Sequence, residues 1–387
     1  MSDRTASMQG LLRYLQRHEN EMVRLLGRFV RCESPSGDKN AVDRFAQIVI
    51  KEWRQRGADV RVLHQAQRGN HVRAELHLGK GRPAGQILVL GHLDTVHPLG
   101  TIPRMPFRIS RGCAWGPGTF DMKGGLVLAL FAVDALRATG IRPSERLVFL
   151  WTSDEEIGSE TSRRVIEQEA RRSDAVLVLE PPLGLEGRLK TSRKGVATTE
   201  IIVKGRAAHA GINPGEGINA VHELVLQIVR IMKMNKPQQG TTVQTTVFAG
   251  GTVPNVVPDC ARAQVDIRFA RVADGKRVVR QMRALKPILK GARIKVSIKG
   301  IRPPLEHTAA VRALFRRAQS LMREIGLPLG EAATGGGSDG NFTAALGIPT
   351  LDGLGTVGDG AHSLREHALI RALPERAALL AGLFAKL

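Results

Sequence analysis

Three short apolar runs of the chain each end in acidic residues or histidine. Runs of this length that are rich in Val, Ile and Leu predict buried parallel strands. Ligands of open α/β sheets bind at the carboxyl ends of the strands, so we expect these polar residues to meet in one crevice. Such a crevice predicts a metal-dependent hydrolase. The runs and the polar residues that follow them are 87–90 with His92 and Asp94, 147–151 with Glu155 and Glu156, and 175–179 with Glu180.

The pattern around these strands predicts helices and a second domain. Helical spacing covers about residues 11–56, interrupted by turn-forming residues at 34–38, and recurs at 122–139, directly after Asp121. The pattern of apolar and polar residues changes near residue 194, and the alternation of helix and strand seen before that point resumes after about residue 303. The elements between these two positions predict a βαββαβ order, the ferredoxin-like split unit. They are a strand at 195–205, a helix at 217–234, strands at 242–248 and 263–269, a helix at 275–290 and a strand at 294–298.

The composition narrows the class of protein. At 387 residues the chain is long for one core, so two domains are expected. No run of 18 apolar residues is present, which argues against a transmembrane helix. The first 21 residues lack the apolar core of a signal peptide, and three widely spaced cysteines suit a reducing compartment. We therefore expect a cytoplasmic protein that has no membrane partner.

The net charge of +21 leaves three interpretations open. Ten Lys and Arg stand against one acid, Asp274, between residues 271 and 299. They could form a solvated basic face, attract anionic substrates, or bind nucleic acid through Arg277, Arg280 and Arg283. Aromatic residues make up only 4% of the chain, which leaves few platforms for stacking bases. A nucleic-acid partner is therefore not our expectation.

The candidate ligands are carboxylates and imidazoles, without thiolates, and this donor set suits Zn, Mn or Co. Asp121 is the best candidate to bridge two ions, because the glycines that follow it allow close backbone approach. Taken alone, each position has an ordinary alternative, such as a solvated histidine or an exposed acidic turn. The seven residues considered are His92, Asp94, Asp121, Glu155, Glu156, Glu180 and His362.

Spacing suggests a division of roles among these residues. In His92-x-Asp94 both side chains share one face of an extended segment, so the carboxylate can support the imidazole from behind. Glu155 and Glu156 can both reach one site only at an irregular strand end, where one binds metal and the other moves protons. We take Glu155 as the general base. His209 stands among small residues in the second domain and is a candidate donor to an oxyanion.

Taken together, the motifs resemble the co-catalytic zinc metallopeptidase family of aminoacylases, acetylornithine deacetylases, succinyl-diaminopimelate desuccinylases and glutamate carboxypeptidases. The likeness covers nearly the whole chain. The motifs that carry it are Ser34-Pro35-Ser36-Gly37-Asp38, Gly91-His92-Leu93-Asp94-Thr95-Val96, Asp121-Met122-Lys123-Gly124-Gly125, Ser153-Asp154-Glu155-Glu156-Ile157-Gly158, Gly335-Gly336-Gly337-Ser338-Asp339 and Gly360-Ala361-His362-Ser363.

The resemblance implies a zinc-exopeptidase-like α/β catalytic domain with a mixed sheet, at 1–193 and 302–387, and a ferredoxin-like lid and dimerisation domain at 194–301. It implies a cis peptide after the bridging aspartate and a homodimer in which the lid histidine, His209, completes an active site. It assigns Asp94 to support of a ligand and Glu155 to activation of the water. The metal ligands that it implies are His92, Asp121, Glu156, Glu180 and His362.

Within the family, the chain is most similar to the glutamate carboxypeptidase (glucarpidase-like) group. The positions that fall where that group holds substrate carboxylates are Arg188, Asn255, Arg268 and Arg302. Arg302 is our first choice for the α-carboxylate, since a guanidinium can bind a carboxylate with two hydrogen bonds. The expected enzyme is a two-metal hydrolase that cleaves the amide bond before a C-terminal acidic amino acid of an N-acyl or peptidyl substrate. The alternative is an N-acyl amino acid deacylase of the acetylornithine deacetylase or desuccinylase type.

Overall fold

The computed structural model describes residues 7–387, and they divide into two compact units. The first unit comprises the chain up to Thr191 together with His307–Thr334 and Ser338–Leu387. The second comprises Ser192–Glu306 and the short segment Gly335–Gly337. The predicted lid, 194–301, falls inside the second unit, and its roles as lid and dimerisation domain stay predictions.

The first part of the chain alternates helices and strands. Its elements are α1 (Met8–Arg17), α2 (Glu19–Val30), α3 (Lys39–Gln55), β1 (Asp59–Leu63), β2 (His71–His77), β3 (Gln86–His92), β4 (Arg108–Ser110), β5 (Cys113–Trp115), α4 (Lys123–Ala138), β6 (Arg146–Thr152), α5 (Arg163–Ala170), β7 (Ala175–Val178) and β8 (Leu189–Arg193).

The second unit and the return of the chain to the first unit supply the remaining elements. In the second unit these are β9 (Gly195–Lys204), α6 (Ala220–Met232), β10 (Thr242–Gly250), β11 (Cys260–Phe269), α7 (Val272–Arg283) and β12 (Arg293–Arg302). After it come α8 (Ala309–Glu324), β13 (Glu331–Thr334), α9 (Gly340–Ala345), β14 (Thr350–Leu351), β15 (Gly358–Asp359), β16 (His367–Leu369) and α10 (Ala372–Lys386).

A mixed six-stranded sheet forms the centre of the first unit, in the order β1-β2-β6-β3-β7-β14. The strands β6, β3, β7 and β14 run parallel to one another; at one side β2 pairs antiparallel with β6, and β1 pairs antiparallel with β2. Alternate residues of β3 belong to two different cores: Ile87 and Val89 to one, Leu88 and Leu90 to the other. Because both faces of the sheet are buried, its strands need continuous apolar runs, as the sequence predicted. Each fully buried Val, Leu or Ile contributes about 1.5–3 kcal/mol.

The second unit is an antiparallel sheet in the order β10-β11-β9-β12, with a core that includes residues of α6 and α7. The predicted βαββαβ order is confirmed. The predicted end of its second helix is wrong, because α7 ends at Arg283 instead of near residue 290. Pro287 explains the difference, since proline lacks the N–H that a helix interior requires and disfavours helical conformation in the preceding residue.

No helix within residues 7–387 is both long and apolar enough to cross a membrane. The cytoplasmic location stays a prediction.

Candidate active site

The sheet brings the three predicted polar segments to one edge. β3 lies between β6 and β7 and runs parallel to both. Its residues Gly91 and Leu90 are in register with Trp151 and Val178, near the ends of the two neighbouring strands. Parallel strands in register end at the same edge, so the side chains that follow them can converge.

The first cluster of side chains surrounds His92. Its Nε2 lies 3.2 Å from Oδ1 of Asp121 and 3.5 Å from Oε1 of Glu180. The three residues offer ligand atoms that all lie within 4.8 Å of one another. His92 is 1% exposed and Glu180 is 8% exposed, so this is a buried set of donors.

The second cluster uses the other oxygen of Asp121. Oδ2 of this carboxylate lies 3.3 Å from Nε2 of His362, and the same nitrogen lies 3.2 Å from Oε2 of Glu156. These ligand atoms again lie within 4.8 Å of one another. Asp121 therefore presents one oxygen to each cluster, which is the arrangement required of a bridging carboxylate.

Asp94 holds the segment that carries the two adjacent glutamates. Its carboxylate accepts hydrogen bonds from the backbone N–H groups of Glu155, at 3.3 Å, and Glu156, at 3.2 Å, and from the hydroxyl of Ser36, at 2.6 Å. The imidazole of His92 interacts mainly with the backbone of Asp94, because its Nδ1 lies 2.9 Å from the Asp94 carbonyl oxygen and 3.5 Å from the Asp94 carboxylate. Asp94 thus supports both His92 and the glutamates.

Glu155 and Glu156 lie in a short 3-10 turn, Glu155–Ile157, directly beyond β6. This is the irregular strand end that their adjacency required. Glu156 takes part in the second cluster, whereas Glu155 belongs to neither. The Oε1 atom of Glu156 is buried and makes no hydrogen bond with the part of the chain that the structure describes. Among the described residues, this oxygen therefore lacks the partner that a buried carboxylate oxygen needs.

Negative charge dominates the electrostatics of the site. Hydrogen bonds to Asp121 and Glu156 raise the pKa of His362 to about 10. Burial opposes a charge on His92, but Asp121 and Asp94 outweigh it and raise that pKa well above its usual value. Burial likewise raises the pKa of Glu156, whereas the two histidines overcome the burial of Asp121 and hold its pKa well below the usual range. The histidines act as counter-cations, so the site favours added positive charge.

Two glycines at the start of α4 lie close to neighbouring backbone. A Cβ atom at Gly125 would lie 2.6 Å from the carbonyl oxygen of Leu179, and one at Gly124 would lie 2.6 Å from that of Thr119. The close backbone approach expected of these glycines is therefore present. The peptide bond after Asp121 is cis, as the resemblance implied.

Comparisons with known proteins agree with this geometry. Peptidase family M20/M25/M40 matches residues 88–386. Carboxypeptidase G2 of a Pseudomonas species is 30% identical over 94% of this chain and 88% of its own length. Succinyl-diaminopimelate desuccinylase of Dechloromonas aromatica is 29% identical over 92% of this chain and 96% of its own.

The chain belongs to peptidase family M20/M25/M40. It is therefore a hydrolytic enzyme. Solved structures with the same fold include the aminopeptidase PepT of Bacillus cereus, with a TM-score of 0.77 and 21% identity over 95% of this chain and 98% of its own. Another is the YxeP protein of Bacillus subtilis, described as a dinuclear metal binding peptidase, with a TM-score of 0.70 and 15% identity over 96% and 98% of the two chains.

Two buried charged residues of this M20 enzyme were assigned no role from the sequence, Lys123 and Glu366. The ammonium of Lys123 donates hydrogen bonds to the carbonyls of Phe29, at 3.2 Å, and Cys32, at 2.6 Å, and burial lowers its pKa to about 8. Glu366 accepts hydrogen bonds from three backbone N–H groups of the loop that ends at Asp121. Its place four residues beyond His362 was visible in the sequence, but its partners lie about 250 residues earlier in the chain.

In the second unit, the candidate substrate-binding and oxyanion residues lie in two pairs, one at each end of the sheet. Arg268 and Arg302 occupy the two strands on either side of Val196, near the beginning of β9. His209 lies beyond the other end of β9 and next to Asn255, whose carbonyl accepts a hydrogen bond from Ala210 at 2.9 Å. The structure therefore groups these four residues into two separate pairs.

Arg188, in the first unit, follows a tight turn after Glu180. Its side chain is 45% exposed and lies 3.8 Å from the carboxylate of Glu186. This exposed ion pair gives no specific support for a role in substrate binding.

Proposed function

We propose that this M20 enzyme is a two-metal hydrolase that cleaves the amide bond before a C-terminal acidic, glutamate-like amino acid of an N-acyl or peptidyl substrate. The observation that carries the proposal is the shared carboxylate of Asp121, with one oxygen facing His92 and Glu180 and the other facing Glu156 and His362.

The residues of the two clusters fit a pair of divalent ions. Each cluster offers one imidazole and two carboxylates, a donor set that suits zinc, and also manganese or cobalt. The raised pKa values of both histidines and the unpartnered oxygen of Glu156 indicate a need for cations. We propose zinc as the native metal. When bound, the ions polarise the scissile carbonyl and lower the pKa of the attacking water.

Glu155 is proposed as the general base. Its carboxylate takes a proton from the attacking water and returns it to the nitrogen of the leaving amine. The turn that carries Glu155 is fixed by Asp94, which accepts the backbone N–H groups of both adjacent glutamates. In this division of roles Glu156 is a metal ligand and Glu155, which belongs to neither cluster, transfers the proton.

His209 is proposed as the donor to the oxyanion. Its Nδ1 accepts hydrogen bonds from the backbone N–H groups of Gly211 and Ile212, both at 3.1 Å. The proton of the neutral ring is therefore on Nε2, which can donate to a developing negative charge.

Arg302 is proposed to bind the α-carboxylate of the substrate. It is 8% exposed and lies against Gly337, where a Cβ atom would come within 2.8 Å of its Cδ. Arg268 already makes a bidentate ion pair with Asp266, at 2.9 and 3.0 Å. The buried guanidinium of Arg302 can bind a carboxylate with two hydrogen bonds, so Arg302 is the first candidate, with Arg268, Asn255 and Arg188 as secondary candidates.

A homodimer through the second unit is also proposed. Arg302 is in register with Val196 near the beginning of β9, and His209 lies beyond the other end of this strand. The stretch 196–204 of β9 between them is about 27 Å long. This separation within one unit supports the contribution of His209 by a second copy. The exposed apolar residues of α6 and of the edge strand β10 support an interface, namely Val225, Val229, Met232, Val247 and Phe248.

The test of the dimer is the mass in solution of the wild-type enzyme and of the variant Val229→Glu. We expect a dimer for the first and a monomer for the second, because a charge in a buried interface is costly. A monomeric wild type contradicts the proposed dimer.

The test of the catalytic proposal compares Glu155→Gln with Glu160→Gln, a matched change at an exposed glutamate of the same segment. Metal content is measured together with turnover on a panel of folyl and peptidyl glutamates and N-acyl amino acids. We expect two ions in both variants and a loss of kcat of about 10²–10⁴-fold in the first alone. Wild-type turnover by Glu155→Gln contradicts the proposal.

The alternative activity is deacylation of the desuccinylase type, supported by the similarity to the desuccinylase over 96% of the length of that relative. The same panel separates the two activities. Preference for N-acyl diamino acids over substrates that end in glutamate favours the deacylase. Unchanged KM for Arg302→Ala across the panel contradicts the proposed orientation of the substrate.

A further inference from the structure

Glu366 is a buried carboxylate that belongs to neither cluster of candidate ligands. It is 1% exposed and stands four residues beyond His362. Its Oε1 accepts the backbone N–H groups of Phe120, at 3.0 Å, and Asp121, at 2.9 Å. Its Oε2 accepts the N–H of Gly118, at 3.0 Å. Three donors from one short loop therefore converge on a single side chain.

This loop leads directly to the candidate bridging residue. The last of the three amides is that of Asp121 itself, so its hydrogen bond restrains the residue whose two oxygens face the two clusters. Gly118 has a left-handed backbone with φ of +75°, a conformation that glycine adopts without strain. Glu366 thus fixes the backbone on the N-terminal side of Asp121.

The same carboxylate also anchors the segment that presents His362. Strands β15 and β16 pair as an antiparallel hairpin, with His362 in the connection and Glu366 immediately before β16. The carbonyl of Glu366 accepts the N–H of Gly116 at 3.3 Å, which adds a fourth bond between the hairpin and the loop. His362 and Asp121 are therefore held to one another through Glu366.

His97 connects a third segment to this anchor. Its Nε2 lies 2.8 Å from Oε2 of Glu366, and it stands five residues beyond His92. A carboxylate that already accepts backbone N–H groups is an acceptor, so the Nε2–H of His97 donates. The segments that carry His92, Asp121 and His362 thus meet at one carboxylate.

We propose that Glu366 is a positioning residue that sets the distance between Asp121 and His362 and thereby the affinity of the site for its ions. The inference rests on the two-metal function proposed above. Hydrogen-bond partners outside the ligand set typically change metal affinity by about 10–100-fold. A residue that only stabilised the fold would lower the melting temperature and leave the affinity unchanged.

Glu366→Gln is the sharpest variant because it keeps the size of the side chain. The amide oxygen can still accept from Phe120 and Asp121, but the NH₂ group then faces the N–H of Gly118, and two donors cannot bond. Glu366→Ala removes all the side-chain bonds. Glu223→Gln is the matched control, since Glu223 is fully buried in the second unit and accepts the N–H groups of Ile288 and Leu289.

The experiment measures the affinity of the metal-free protein for Zn²⁺ and Co²⁺ by competition with a chromophoric chelator, together with the melting temperature without metal. We expect affinity to fall about 10-fold for Glu366→Gln and about 100-fold for Glu366→Ala. Glu223→Gln should lower the melting temperature and keep the wild-type affinity.

Two results overturn the inference. One is wild-type affinity in Glu366→Gln despite a lower melting temperature, which assigns the residue to folding alone. The other is an equal loss of affinity in Glu223→Gln, which attributes the effect to general destabilisation. A wild-type protein that binds fewer than two ions contradicts the proposed two-metal function instead, so the two failures are distinguishable.

Discussion

Metal binding to this enzyme should release protons, in a number that the structure specifies. Without ions, His362 has a pKa of about 10 and His92 has a pKa well above its usual value, so both carry a proton at pH 7.5. A histidine must be neutral to bind a metal. Filling both clusters should therefore release about two protons per chain from the histidines, and the attacking water, whose pKa the ions lower, should add up to about one more.

The same protonation links the stability of the metal-free protein to pH. The pKa of His362 is higher in the folded protein than its ordinary value of 6.5. The contribution of His362 to the free energy of unfolding is therefore fully present below pH 6.5 and is lost as pH rises through about 10. The full difference between the two pKa values corresponds to about 5 kcal/mol. Because the side chain of His362 is 52% exposed, solvent screening reduces this contribution to about 1 kcal/mol or less.

Calorimetric titration of the metal-free protein with Zn²⁺ measures the proton count. The titration is repeated at pH 7.5 in buffers of different ionisation enthalpy, and the slope of the observed enthalpy gives the number of protons. His362→Gln should release about one proton fewer, whereas His64→Gln, at an exposed position outside both clusters, should match the wild type. Release of no protons, or an equal number from wild type and His362→Gln, refutes the reasoning.

Three further predictions concern single positions. Gly337→Ala should displace Arg302 and raise KM about 10-fold or more. Gly336→Ala is the control and should keep the wild-type KM, because a Cβ atom there meets nothing within 4 Å. Equal KM values for the two variants would argue against Arg302 as the carboxylate site. His209→Ala should lower kcat by about 10²–10³-fold with little change in KM, and a change confined to KM would assign it to binding. Lys123→Met should lower the free energy of unfolding, measured with denaturant, by about 1–3 kcal/mol, because two buried carbonyls lose their donor. Lys51→Met, at an exposed position, should leave the free energy of unfolding unchanged.

The strand ends could be predicted from the sequence because their signal is local. A continuous apolar run specifies a strand that is buried on both faces, and the next residues must then lie at the edge of the sheet. This rule places His92, Glu155, Glu156 and Glu180 at that edge, but it does not decide which of the two adjacent glutamates binds metal. Asp121 and His362 do not follow any such run, and only the motifs around them marked them as ligands. Their meeting in one cluster required the folded structure.

The roles of Glu366 and Lys123 could not be predicted for a different reason. Each satisfies backbone groups that are distant in sequence, such as the N–H of Asp121 for Glu366 and the carbonyl of Cys32 for Lys123. Periodicity reports which face of an element is buried, but it does not report which loops close against each other. The separation of His209 from Arg302 along β9 likewise depends on the strand order.

Asp94 and Glu366 position the site by the same physical means. Each is a buried carboxylate that accepts the backbone N–H of a residue whose own side chain is a candidate ligand: Glu156 for Asp94, and Asp121 for Glu366. The Asp94 carboxylate also helps to raise the pKa of His92. The acidic surroundings of His92 and His362 therefore favour the protonated histidines in the metal-free state. The binding of ions and the release of those protons are then two parts of one equilibrium, and a variant that removes the Asp94 carboxylate should change both.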